Sequence, residues 1–516
     1  MPDPNLDVRE LTISQIHAAY LAGTYTSHDL TTAYLHRIYT LDLSTSPTPH
    51  PIRSTLALSP HALQTAATLD THLQTHKSLT GPLHGIPILL KDQIDTAGLT
   101  TTYGSYAGKG NIPSTDAFIV QKLKAAGAII LGKTSMSEWA TSWFSASSAT
   151  LPPWTFTSNP YSPHPTHPHD VGASSGGSAA AVAANLCVVA VAEDTGGSVR
   201  VPASFCNLVG LRCTPGLVSR RGLCPLLKVQ DTPGPVARTV EDCARLFDAM
   251  VGFDARDEWC GVHLRIPPAA RTQKYAEGLG EGFLRGARIG VVRELFGDAR
   301  DVYCRAVNRV VEGAIERLGE RGMVFVDVEI PKLKHYMFTT PTYLQSSRSD
   351  INGFLAERPG MPNDIAEIVT PENRPFLALT AGVAAGPLDP CTDPGYAKQL
   401  TDQAEFVRVL SKLMYEQSLD ALAFPDVQIP PPKHADATNG RFREAWDFPV
   451  NTLLASQARW PAITVPAGFT SGLAEQEGDG LPVGIEFVSW ELREKELLLI
   501  AKGVENVLSA RRAPGL

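Results

Sequence analysis

The stretch that most restricts what this chain can become is residues 172–200, GASSGGSAAAVAANLCVVAVAEDTGGSVR. It holds two clusters of small residues, one over 172–178 and one over 194–200, separated by an alanine-rich helical pattern (178–185) and an apolar run (187–192). Glycine and serine bring almost no apolar area, so neither cluster can serve as core. Glycine instead lets backbone approach a ligand and adopt conformations closed to other residues, and amides exposed in this way can face a developing negative charge. Ser198, directly after Thr195, Gly196 and Gly197, is therefore placed as a nucleophile with a backbone oxyanion hole beside it. A lone GGS reads as an ordinary turn. Two such clusters joined by helix and strand patterns do not.

A third element lies upstream at 81–98, GPLHGIPILLKDQIDTAG. The apolar run 86–90 reads as a buried strand that delivers Lys91 at its end, where full solvation is denied to the ammonium. Asp92 and Asp95 follow closely and would hold the proton on Lys91 if they faced it, so their carboxylates are expected to point away. Lys133, after the strand pattern 128–131, is a second candidate base in a less apolar setting.

On these three elements the chain resembles the amidase signature family, serine hydrolases with a Ser–cis-Ser–Lys triad. Ser198 matches the nucleophile, Ser174 the bridging serine after a cis peptide bond, and Lys91 the catalytic lysine. Thr195, Gly196, Gly197 and Ser198 match the oxyanion-hole backbone. The resemblance implies a single-domain α/β/α sandwich around a central mixed β-sheet over residues 1–516. Its signature core lies at about 81–250, and a variable substrate-specificity region at about 336–440. Two positions depart from the family pattern: Gln93 stands where asparagine is usual, and Glu193 where a small or hydroxyl residue is usual.

The chemistry fits what the residues offer. Amide hydrolysis needs an activated nucleophile, a stabilised oxyanion and a protonated leaving amine. No histidine lies near either cluster except the proline-separated His164, His167 and His169, so a Ser-His-Asp scheme has no evident base. A relay from Ser198 through Ser174 to a neutral Lys91 replaces it. Asp194 and Arg200 are expected to brace the loop through charge-assisted hydrogen bonds, with Ser175 as further structural support.

Of the 516 residues 43% are hydrophobic and 19% charged, enough apolar material for a large core, and the net charge of −8 argues against nucleic acid or anionic membrane as a main partner. No apolar run approaches the ~20 residues that span a bilayer. The eight cysteines show no metal spacing and several sit in apolar runs, which reads as buried reduced thiols in a cytoplasmic protein. No cofactor and no metal site are expected; the three histidines lack an acidic or cysteine partner at ligand spacing.

Along the chain, Thr12 and Ser27 read as caps of two N-terminal helices, the first stopped by Gly23, and Thr239 caps a third. Strand patterns fall at 56–58, 289–292, 323–330, 421–425, 462–465 and 483–488, and helical ones at 116–126, 396–415 and 492–507. This strand–helix alternation is that of an α/β fold. Trp143, Phe144 and Trp154 could wall a substrate pocket, and Tyr343, Phe354 and Phe376 supply specificity from the least readable segment.

The first expectation is a free-standing amidase acting on a carboxamide or small N-substituted amide through an acyl-enzyme, a hydrolase of non-peptide C–N bonds in linear amides, with a homodimer left open. The alternatives are the amidase subunit of a glutamine-dependent amidotransferase, which requires partner chains, and a catalytically inactive binding homologue. Segment 341–395 shows none of the glutamine-site sequence expected of the former.

Overall fold

A computed structural model describes residues 6–44, 51–149, 155–162, 164, 166–271, 274–369, 378–439, 441–442, 447–471, 473 and 480–516. Its frame is one mixed sheet of eleven strands: β1 (Thr55–Leu58), β2 (Pro87–Lys91), β3 (Ile129–Thr134), β4 (Val189–Asp194), β5 (Val209–Arg212), β6 (Thr232–Ala237), β7 (Arg288–Val292), β8 (Val324–Val328), β9 (Ala421–Pro425), β10 (Ala462–Phe469) and β11 (Pro482–Val488). The spatial order is β1-β3-β2-β4-β6-β5-β10-β11-β9-β7-β8. Parallel pairs join β3, β2 and β4 at one end and β8, β7 and β9 at the other, and antiparallel pairs link the two sets through β6, β5, β10 and β11. The expected α/β architecture with a mixed central sheet is what forms.

Helices cover the sheet. Gly176–Ala183 packs on β4, β2 and β6, while Val302–Gly319 and Glu494–Leu508 pack on β10 and β11. The helix Gly176–Ala183 is buried along its whole length because its small side chains allow close approach to the strands. Thr12 caps the first helix with Gln15 in a capping box, and Gly23 ends it at φ 69°. The second cap is Thr26 rather than Ser27, since Thr26 pairs reciprocally with Asp29 three residues on. Thr239 caps its helix as expected. All eight cysteines are free, seven of them buried and Cys391 exposed.

One strand and two helices escaped the apolar patterns. β6 reads TPGPVA, and prolines demote a strand because they lack a donor. Pro233 and Pro235 lie two apart, so both missing N–H groups fall on one edge of the strand and the other edge keeps its donors. On that side of the sheet β5 pairs only with Val236 and Ala237. The helix Arg200–Phe205 carries Pro202 in its first turn, where a free N–H is not needed. Within the 336–440 region, the helix Tyr343–Leu355 carries Ile351, Phe354 and Leu355 into a satellite core with Tyr103 and Trp139.

Candidate active site

The site forms at the C-terminal ends of the neighbouring parallel strands β2 and β4, where α/β sheets leave a crevice. Every residue of β2 is buried, and Lys91 at its end is fully so. Lys91 Nζ lies 2.7 Å from Ser174 Oγ, 3.3 Å from the Glu193 carbonyl oxygen and 3.2 Å from Glu193 Oε2. Ser174 follows a cis peptide bond from Ala173, just ahead of the helix Gly176–Ala183 that feeds β4. Burial lowers the proton affinity of Lys91, against the pull of Glu193, Asp231 and Asp194.

The carboxylates of Asp92 and Asp95 point away from Lys91. Asp92 Oδ2 accepts from the backbone and hydroxyl of Thr102, and Asp95 binds Arg358 and Tyr103. The carboxylate that does reach the amine belongs to Glu193, which the sequence marked only as a departure. Lys133 is also fully buried, contrary to its less apolar appearance, but it donates to the Ile94 carbonyl and Thr101 Oγ1, and its hydrogen-bond partners do not include Ser174 or Ser198.

β4 ends in Asp194, and the backbone then turns through Thr195, Gly196, Gly197 and Ser198 into the helix Arg200–Phe205. The carbonyls of this turn are held: Gln230 Nε2 donates to Thr195 at 3.1 Å and Thr452 Oγ1 to Gly196 at 2.7 Å. Its amides, from Thr195 to Ser198, have no acceptor among the described residues, and neither has the Ser198 hydroxyl. Gly197 has φ 138°, and a Cβ there would stand 2.0 Å from Thr452 Oγ1. At Gly196 a Cβ would meet Tyr343 Oη at 2.7 Å and Trp143 Cη2 at 3.3 Å. Glycine is required at both positions, and Trp143 and Tyr343 flank the turn.

Behind it lies a fully buried ionic network. Arg200 donates to both oxygens of Asp194, at 3.1 and 2.9 Å, and also binds Glu486, the Thr452 carbonyl and Ser456 Oγ. Arg212 adds 2.8 Å to Asp194 Oδ1, and the Val199 amide 3.1 Å to Oδ2. Burial would raise the Asp194 carboxyl, yet Arg200 and Arg212 hold it well below the usual range. Ser175 Oγ donates to the Glu193 carbonyl at 3.0 Å, tying the first glycine cluster to β4.

The sequence missed most of the residues that hold this arrangement, among them Glu193, Asp231, Thr452 and Glu486. Glu193 was visible only as an odd residue, while Asp231, Thr452 and Glu486 come from distant segments with no local signal. Phe144 is no pocket wall: it is buried in a cluster with Phe205 and Phe448. Phe354 packs on Tyr103 and under Arg358. Trp154 and Phe376 lie outside the described residues. His164 stacks on His167, and His169 pairs with Ser162.

The amidase family model matches residues 29–498. Among curated proteins, the chain is 33% identical to a glutamyl-tRNA(Gln) amidotransferase subunit of Microcystis aeruginosa, over 96% of this chain and 97% of that one. It is 34% identical to the amidotransferase subunit of the same name from Chloroflexus aurantiacus, over 97% of both. Among solved structures, native peptide amidase from Stenotrophomonas maltophilia superposes with a TM-score of 0.80 at 31% identity, covering 98% of each chain. No helix among the described residues is long and apolar enough to cross a membrane.

Proposed function

The chain belongs to the amidase family, and on that premise we propose that it cleaves an amide C–N bond through an acyl-enzyme on Ser198. The observation that carries this reading is the 2.7 Å contact between Lys91 Nζ and Ser174 Oγ, with both side chains fully buried. Lys91 Nζ has three oxygen neighbours, and two of them, the carbonyl and carboxylate of Glu193, can only accept. A neutral amine gives its two N–H bonds to those acceptors and keeps its lone pair for the Ser174 O–H. In that state Ser174 can pass its proton to Lys91 while taking one from Ser198.

Ser198 Oγ attacks the carbonyl carbon, and its proton moves through Ser174 to Lys91. The oxyanion faces the free amides of Thr195, Gly196, Gly197 and Ser198, whose positions Gln230 and Thr452 fix from the carbonyl side. The proton returns through Ser174 to the leaving nitrogen as the C–N bond breaks. Water then hydrolyses the ester by the same path in reverse. Asp194, Arg200 and Ser175 support the turn without touching substrate, and no cofactor enters any step.

Two substrate readings differ in what they need. The sequence ranked a free-standing amidase first, and the likeness to peptide amidase favours it. The names of the curated relatives favour the other reading, an amidase subunit that releases ammonia from glutamine within an amidotransferase complex. Those relatives align along 96% and 97% of this chain, and the subunit reading is the better supported of the two. The free cysteines favour action in a reducing cytoplasm.

A fluorophosphonate should add its mass to the peptide containing Ser198 and leave Ser198→Ala unmodified; an unlabelled wild type would favour an inactive binding homologue. Ammonia release from glutamine, primary amides, peptide amides and anilides should then be followed with and without partner chains. Turnover of glutamine only with partners fixes the subunit reading. Turnover of other amides by the isolated chain, with light scattering to give its oligomeric state, fixes the free-standing one.

A further inference from the structure

Glu193 and Asp231 place two carboxyl groups beside a buried lysine, and a single hydroxyl stands between them. Thr195 Oγ1 lies 2.7 Å from Asp231 Oδ1 and 3.1 Å from Glu193 Oε1. A hydroxyl has one proton, so it donates to one of these oxygens and must accept from the other. Accepting from a carboxyl requires that carboxyl to be protonated. Glu193 has the Lys91 amine against its other oxygen at 3.2 Å. Among the described residues Asp231 has no amine in that place: its Oδ2 accepts the amides of Leu226 and Leu227, at 3.0 and 3.1 Å, and its Oδ1 the Leu227 amide at 3.2 Å. The proton therefore belongs on Asp231. The hydrogen bonds then run in one direction, from Asp231 to Thr195 to Glu193, with Lys91 at the far end against Ser174.

We infer that Glu193 is a positioning residue for Lys91: its carboxylate holds the amine against Ser174, while Asp231, kept protonated across Thr195, limits the negative charge facing that amine to one. The inference rests on the role proposed above for Lys91. Burial, followed by the Glu193 charge, raises the Asp231 carboxyl well above the usual range, in agreement with the hydrogen-bond count. The charged and titratable groups facing the cluster are few. Lys91 faces Glu193, Asp231 and Asp194, the last neutralised by Arg200 and Arg212. Asp231 faces Glu193, Arg220 and Tyr343, and Cys224 lies near both carboxyls. Glu193 and Asp231 also line a cavity of about 300 Å³ shared with Gln93, Arg220, Lys228 and Arg358, so the cluster has a face apart from Ser198 through which protons can equilibrate. A second ionised carboxylate would hold the proton on Lys91 to a higher pH and silence the base. A hydroxyl residue in place of Glu193 would leave the amine without the carboxylate that accepts its N–H.

The test is the pH dependence of Ser198 phosphonylation by a fluorophosphonate in wild type, Glu193→Gln and Asp231→Asn. Removing the carboxylate of Glu193 should move the rising limb to lower pH by about one unit, a tenfold gain relative to its own plateau at a pH below the wild-type limb. The plateau itself should fall, because the amine is no longer held. Asp231→Asn copies the protonated acid in shape and charge and should leave the limb in place. A limb unmoved in Glu193→Gln, or moved as far by Asp231→Asn, overturns the inference. If Glu193→Gln does not fold, Glu193→Ser gives the same readout, with the same limb shift expected. A wild type in which Ser198 is never labelled overturns the proposed function and this inference together; labelling with an unmoved limb overturns this inference alone.

Discussion

Gly197→Ala tests the closest approach in the site. The added Cβ would lie 2.0 Å from Thr452 Oγ1, 2.6 Å from its Cβ and 3.1 Å from its Cγ2, at a φ of 138° that L-residues rarely adopt. Thr452 cannot swing aside freely. It is fully buried, its hydroxyl donates to Gly196 and its carbonyl accepts from Arg200. The strained φ costs about 1–3 kcal/mol, overpacking about 1–3 kcal/mol, and the displaced Thr452–Gly196 bond about 1 kcal/mol. The sum, about 3–7 kcal/mol, is a large part of a usual folding free energy of about 5–15 kcal/mol. Denaturant unfolding should show a loss in that range. Where the variant still folds, displacement of one amide of the turn should cut turnover by about 10²–10³. Thr452→Ala removes two of the three clashing atoms and should recover part of the stability in the double variant, with the φ strain remaining. A loss below about 1 kcal/mol in Gly197→Ala, or additive effects in the double variant, would refute the reasoning.

Three further outcomes are expected. Turnover should rise with pH, because burial lowers the proton affinity of Lys91 and the neutral fraction grows as pH passes through its titration; the limb should lie below the ~10.4 of a free lysine, and a profile falling over that range would contradict a neutral base. Lys91→Ala and Lys91→Arg should both lose most turnover while staying folded by circular dichroism, since a guanidinium keeps its proton; near-normal rates in Lys91→Arg would move the base elsewhere. Arg200→Met leaves Glu486 without its cation and Asp194 with Arg212 alone, and should cost about 3–5 kcal/mol in unfolding experiments.

What the sequence disclosed follows from how far each signal reaches. β2 and β4 were legible as apolar runs, and the residues at their ends, Lys91 and Asp194, fell where those runs stop. The two glycine clusters were legible because so little else explains a dense group of residues without side chains. β6 was not, since its prolines read locally as a break and are tolerated only because one edge of the strand keeps its donors. Glu193 could be seen as unusual but not as the partner of Lys91: alternation along a strand does not tell which neighbouring strand supplies the facing group. Thr452 and Glu486 had no signal at all, being more than 250 residues away in the chain from the groups they hold.

That separation has a consequence for how the protein is made. Thr452 and Glu486, on segments near the end of the chain, fix a turn laid down before its midpoint. A nascent chain of 400 residues already contains the lysine and both serines, yet nothing in it anchors the Gly196 carbonyl or neutralises the outer side of Arg200. At synthesis rates of about 5–20 residues per second, the last hundred residues take about 5–20 s to follow. During that interval Gln230, Arg200 and Arg212 can hold the turn and Asp194, but the contacts from Thr452 and Glu486 are missing. The full set of contacts around the turn therefore forms only when the C-terminal segments carrying Thr452 and Glu486 dock.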